Sequence, residues 1–458
     1  MAIPQPSARY RLCFFGSHAH SAPGPAPEST PPPPVRLGAR QNFALSAYWF
    51  ATNLLWGALL MIVIPSQMRL VAARHPAETT GLLLGLGAVP ALVVPLLVGP
   101  LSDRCTSRWG RRRPYMVAGV MVNLAGLALV WTAGTARCLW LYFVAYFVVN
   151  IGNNIATAAY SGVIPDIVPQ SQRGEASGWM AGMSQLGTIL GVLSAGLLMN
   201  ARRVGAAFWL MAFALVAFLL ITALGVKDQP RSTKPGPLNW PQFLKSLWIS
   251  PRKYPDFAWV WMTRALVVMG LWTVQEWMQY YLTDVIRVPE QSKELTAAYV
   301  LVLALACATV TGLLGGAISD RVGRKRVVYV ANGVIAFCCI AFLFGRSLGY
   351  VYAVAAVFGM GFGAYYSVDW ALACDVLPNK ESAAAKDMAV WHISMVLPQS
   401  IALPISGALL GFFGKTTDHT AVGAVTHYTH VGYTAIFSLA ACYLLLGAVL
   451  LRNVRGAR

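Results

Sequence analysis

Hydrophobic and polar positions along this chain alternate on a long scale. From Phe43 onward, apolar runs of about 20 residues, the length that crosses a bilayer as a helix, are separated by short polar turns. The runs predict membrane helices over 43–68, 81–101, 114–135, 139–164, 176–200 and 205–226, and again over 257–283, 295–318, 326–345, 348–372, 388–413 and 431–452. The expected fold class is an all-α polytopic membrane protein of twelve helices in two six-helix bundles, 41–226 and 257–452. A charged, proline-rich linker at 227–256 joins them, and a short tail follows at 453–458. Residues 1–40 hold nine of the 27 prolines, including Pro31 to Pro34, and lack both a long apolar core and a cleavage pattern. They read as a disordered tail rather than a secretory signal.

Composition agrees: 57% of the 458 residues are hydrophobic and only 11% charged, which excludes an ordinary soluble domain. The net charge of +18 raises the question of nucleic acid, but its distribution answers it. Of the 35 Lys and Arg, 25 fall in the tails, the linker and the loops after spans 2, 4, 8 and 10; nine fall on the opposite side, and Arg264 lies inside span 7. The positive-inside rule therefore places both termini in the cytoplasm, and the charge reflects topology instead of a nucleic-acid partner. The eight cysteines form no CxxC pair and no zinc-ligand spacing with His, so no disulfide, metal or cofactor is expected. His427 and His430 are close in an outer loop but have no further ligands in view. No clustered acids, Ser/His arrangement or phosphate-binding loop points to an enzyme.

The halves repeat each other. Span 2 runs into Gly99-Pro-Leu-Ser-Asp-Arg104 and span 8 into Gly316-Ala-Ile-Ser-Asp-Arg321, each followed by a glycine and a basic cluster. A looser repeat follows spans 4 and 10, where Asp166 and Asp375 each precede a proline by three residues. Parallel six-helix repeats imply a pseudo-two-fold axis along the membrane normal and a central site between the halves.

Asp103-Arg104 with Gly110 to Arg113, and Asp320-Arg321 with Gly323 to Arg326, resemble the signature loop of the major facilitator superfamily, and the six-plus-six layout extends the resemblance over 41–452. The first copy carries four extra residues, Cys105 to Arg108, and ends in Gly-Arg-Arg-Arg-Pro. In this it resembles sucrose transporters and the related glycoside/pentoside/hexuronide:cation symporters. Asn150, Asn153 and Asn154 in span 4, followed by Asp166, resemble a sucrose-transporter pattern whose first position is an aspartate taken as the proton-coupling acid. Here that position is Asn150, which cannot titrate, and span 2 contains no carboxylate. Neither ion site of the group carries over intact.

The resemblance implies alternating access around a cavity lined by spans 1, 4, 7 and 10. On those spans the candidates for substrate binding or coupling are Asn53, Trp56, Asn150, Asn153, Asn154, Arg264, Glu276 and Asp369. Arg264 and Asp369 lie at matching depths, about 10 and 9 Å from the cytoplasmic ends of their helices, and are expected to pair or share a polar cluster at the cavity; a static packing pair is the plainer reading. Glu276, about 18 Å farther along span 7, cannot reach Arg264. It is read either as a coupling or hydroxyl-binding carboxylate or as part of an interfacial belt with Trp272, Trp277, Tyr280 and Tyr281. Gating contacts are expected from Asp103, Arg104, Arg111, Asp320, Arg321 and Arg324, with Asp166, Arg173 and Asp375 in the matching loops. Gly178 with Gly182, Gly187 with Gly191, and Gly407 with Gly411 read as helix-packing seams.

These features lead to the expectation of a plasma-membrane carrier, acting as a monomer in the bilayer, that moves a sugar or glycoside with H+ as a coupling ion. A proton-driven exporter of hydrophobic metabolites or drugs and a non-transporting nutrient sensor are the alternatives.

Overall fold

In the computed structural model the described residues are 38–163, 167–169, 172–226, 240–241, 245, 248–376, 384–420 and 423–455. The tail at 1–37, most of the linker and Asp166 lie outside them, as do the side chains of Arg173, Asp320 and Asp375.

Among the described residues, twelve helices are long and apolar enough to cross a membrane. The first half comprises α1 (Ala39–Val71), α2 (Pro76–Asp103), α3 (Arg113–Thr135), α4 (Leu139–Ser161), α5 (Arg173–Asn200) and α6 (Val204–Gly225). The second comprises α7 (Pro255–Asp284), α8 (Lys293–Val322), α9 (Arg324–Phe342), α10 (Leu348–Val376), α11 (Ala384–Gly414) and α12 (His430–Leu451). Between α11 and α12 the chain forms an antiparallel hairpin, β1 (Lys415–Thr420) with β2 (Gly423–Tyr428), which the sequence pattern does not announce. An even number of spans leaves both ends on one face, and the hairpin, following an odd span, stands on the other; these are called the terminal face and the hairpin face.

Proline and glycine set many of the boundaries. Prolines occupy the first turn of α2, α3 and α7, where the missing N–H has no partner to lose. Inside α1, Pro65 cannot donate to the helical ladder and its ring crowds the carbonyl four residues back. The helix absorbs this in a π-turn, Leu59–Val63, immediately upstream. Inside α2, Pro90 has the same effect, and the helix is interrupted at Ala88.

The halves share one packing scheme. In the first, α1 packs on α5 and α6, α3 on α4, and α2 on α4; in the second, α7 packs on α11 and α12, α9 on α10, and α8 on α10. Across the interface α2 meets α11 and α5 meets α8, a reciprocal pair that a two-fold axis generates. The loop glycines repeat too: Gly110 (φ 105°) and Gly323 (φ 99°) both occupy the left-handed region, which a Cβ makes costly.

Candidate functional site

A cavity of about 720 Å³ lies between the halves. From α1, α4 and α5 it takes Asn53, Trp56, Asn150, Asn153, Asn154 and Gln185; from α7, α10 and α11 it takes Trp272, Gln275, Tyr366 and Gln399. No charged side chain lines it among the described residues. Gly178 and Gly182, which the spacing suggested as a packing seam, border the cavity, and a side chain at either would meet open space. Gly178 is five residues from the terminal-face end of α5, about 8 Å, so the cavity extends toward that face. The true seams are elsewhere. A Cβ on Gly187 or Gly191 would overlap the carbonyl of Phe50 or Leu54 on α1, and Gly407 and Gly411 hold α11 against Ala77 and Glu78 of α2.

The amides have a common orientation. Asn53 Nδ2 donates to Trp49 O at 2.8 Å, Asn150 Nδ2 to Tyr146 O at 3.0 Å, and Asn154 Nδ2 to Asn150 O at 2.8 Å. Because a backbone carbonyl only accepts, the nitrogen assignment is fixed, and each Oδ1 remains an acceptor. Asn153 is the exception: its Oδ1 accepts from Thr52 Oγ1 at 2.7 Å.

Arg264 and Asp369 meet, but not at the cavity. Arg264 Nη1 is 3.1 Å from Asp369 Oδ2 without hydrogen-bond alignment, and the guanidinium lies 4.6 Å from the centre of the Trp391 ring. Tyr365 Oη donates to Asp369 Oδ1 at 3.1 Å. Both charges are buried within the second half and neither belongs to the cavity wall. Glu276 also lies outside the wall, 2% exposed and with Oε1 unpartnered. The belt reading of its surroundings is wrong: Trp277, Tyr280 and Tyr281 are fully buried, with Trp277 donating to Ser406 Oγ at 2.8 Å, and Trp272 faces the cavity. Helical pitch gives depth, but which side of α7 faces its neighbours is decided by packing.

Of the expected gate residues, Asp103 pairs with Arg112, whose Nη1 donates to Ser102 Oγ at 2.6 Å. Arg112 is buried against Gly162, at the carboxyl end of α4, where a Cβ would overlap its guanidinium. The partner is thus the second arginine of the cluster; Arg104, Arg111 and Arg324 make contacts of their own, and Arg321 is exposed in the last turn of α8.

The hairpin face carries a cluster that the sequence reading missed. Arg69, at the end of α1, donates through Nη2 to both Asp284 oxygens, at 3.0 and 3.1 Å, and lies 4.2 Å from the Tyr280 ring centre. Tyr433 Oη of α12 donates to Asp284 Oδ2 at 2.7 Å, and His427 Nδ1 of β2 stands 3.5 Å from Oδ1. Ser66 Oγ donates to Glu294 at 2.6 Å, while Tyr428 Oη accepts from Ala77 N and donates to Glu78 at 3.0 Å. All these bonds cross from one half to the other except those of Tyr433 and His427, so the halves are fastened at the hairpin face. The signal was available: Arg69 and Asp284 each fall one residue beyond an estimated span end, at equal depth on facing helices.

The family model for the Major Facilitator Superfamily matches residues 42–387. A sucrose transport protein of Arabidopsis thaliana is 25% identical over 175 residues, covering 35% of this chain and 34% of that protein. A general alpha-glucoside permease of Schizosaccharomyces pombe is 26% identical over 164 residues, covering 33% and 29%. The alignments thus span about a third of the length of these relatives. Among solved structures, a variant of the nucleoside transporter NupG superimposes with a TM-score of 0.69 at 13% identity, covering 90% of this chain and 99% of that one, a likeness of fold. With the repeated packing scheme, the repeated loop and a family match over most of its length, the chain belongs to the Major Facilitator Superfamily.

Proposed function

We propose that the protein is a secondary carrier that moves a neutral sugar or glycoside across the plasma membrane by alternating access, as a monomer with both termini in the cytoplasm. The observation that carries this reading is the uncharged, amide-lined wall. Asn53, Asn150 and Asn154 each give one N–H to their own helix and keep a carbonyl oxygen and a second N–H for hydroxyl groups, beside Trp56, Trp272 and Tyr366. The cavity volume is within the range of small-molecule sites, and an uncharged wall disfavours ionic substrates, which would be desolvated without a counter-charge. The sucrose and alpha-glucoside relatives support the same class. Given the charge bias of the loops, the conformation is open to the cytoplasm and fastened outside.

Coupling to a proton is assigned to Glu276. Asn150 cannot titrate, and Asp369 already has Arg264 as its counter-charge. Glu276 is buried with an unpartnered Oε1, and conversion between neutral and charged forms there is strongly tied to what surrounds it.

Uptake of radiolabelled sucrose and maltose into proteoliposomes, with and without an inward proton gradient, tests both parts. The expected result is gradient-driven accumulation that Glu276→Gln reduces to equilibration. Accumulation unchanged in that variant rejects the coupling assignment, and no uptake of either sugar rejects the substrate class.

A further inference from the structure

Asp284 is shared between two basic side chains from opposite sides of the interface. Arg69 belongs to the first half and holds both carboxylate oxygens. His427 belongs to the second half, as do Asp284 and Tyr433, and its Nδ1 faces Oδ1 at 3.5 Å. The charged groups acting on His427 are Asp284 on α7, Arg69 on α1 and Asp418 on β1; Tyr433 on α12 donates to the same carboxylate. Of these, only Arg69 lies across the interface.

We propose that His427 is a proton-binding site of the outer gate, whose protonation competes with Arg69 for Asp284 and releases the fastening between the halves. This rests on the alternating-access reading but not on the identity of the substrate. In a rocking motion of two bundles, groups within one half keep their spacing while those across the interface part. When the outer face opens, His427 keeps Asp284 and loses Arg69. A proton on His427 then gains twice: the imidazolium replaces Arg69 as the partner of the carboxylate, and its repulsion from the guanidinium disappears.

The sign follows by linkage. In the closed arrangement the facing Asp284 carboxylate already lifts the His427 imidazole above its ordinary value of 6.5, against an opposing push from burial and from Arg69. Opening removes the Arg69 push and lifts it further. A group with the higher proton affinity in the open state favours opening as pH falls between its two values, by at most tenfold in the open-to-closed ratio per pH unit for one proton. The change is therefore confined to pH above about 6.5 and saturates below it. His75 on the first half is engaged elsewhere, at 3.1 Å from Glu78 and 2.9 Å from Lys415.

The test is a spin-label distance distribution across the outer face in reconstituted full-length protein. Labels are placed at exposed Ala136 and Arg346, with exposed native cysteines replaced, and the sample is scanned from pH 9 to 5.5 without substrate. Expected is a long-distance population that grows as pH falls and plateaus near pH 6.5. His427→Gln should hold the short distance at every pH, and His427→Arg should show the long one at every pH. A distribution that does not change with pH, or a pH response retained in His427→Gln, overturns the proposal. Sugar uptake plays no part in the readout, so failure of the substrate reading and failure of the gate are separate results.

Discussion

Arg264 on α7 and Asp369 on α10 meet at 3.1 Å inside the second half, and neither reaches the cavity wall. Their surroundings are aromatic: the Trp391 ring lies against the guanidinium and Tyr365 donates to the carboxylate. Removing one member leaves the other charge buried without its partner, which typically costs about 3–5 kcal/mol. Arg264→Met and Asp369→Leu should therefore each lower the melting temperature in mild detergent well below that of the Arg264→Met/Asp369→Leu double variant. Single variants as stable as the native protein would show that the pair holds nothing together.

The glycines of α5 divide into two groups along one helix. Gly187→Leu and Gly191→Leu should abolish a monodisperse peak in size-exclusion chromatography, because the new side chain would overlap the carbonyls of Phe50 and Leu54. Gly178→Ala, bordering the cavity with open space around it, should remain folded and gain slightly in stability from helix propensity, by about 1 kcal/mol. Equal behaviour of the three variants would contradict the division.

Gly110→Ala and Gly323→Ala should each destabilise the protein by about 1–2 kcal/mol, since both glycines hold a left-handed φ that a Cβ disfavours. Thermal unfolding of each variant checks this, and a neutral result at either site would mean that its loop relaxes to another conformation.

Asn154→Leu removes an acceptor from the cavity while sacrificing only a local bond to Asn150 O, at 2.8 Å. On the proposed sugar reading it should raise KM about tenfold, equivalent to about 1.4 kcal/mol, with a melting temperature close to native. A large loss of stability with unchanged KM would make Asn154 a packing residue.

The span count, the duplication and the depth match of Arg264 with Asp369 were legible in the sequence because each depends on one-dimensional spacing. Rotation about the helix axis was not. Glu276 among its aromatics has the composition of an interfacial belt, yet α7 turns that side into protein. Gly178 and Gly182 have the spacing of a seam but face the cavity, where Gly187 and Gly191 on the same helix face α1. Arg69 and Asp284 were overlooked because hydropathy ends a span just where a charge begins. Their importance depends on the two helix ends arriving together. The hairpin at Lys415–Tyr428 has little apolar alternation to reveal it, and it is held in part by first-half partners such as Ala77 and Glu78.

The π-turn at Leu59–Val63 separates two faces of α1. Below it, Asn53 and Trp56 look into the cavity; above it, Arg69 reaches Asp284. One extra residue in a turn rotates everything beyond it by about 100° relative to an uninterrupted α-helix. Deleting a single residue within Leu59–Val63 would leave Asn53 and Trp56, upstream of the turn, in register and swing Arg69 away from its carboxylate. The turn forced by Pro65 is thus a phase shift, through which one helix serves both the site and the gate.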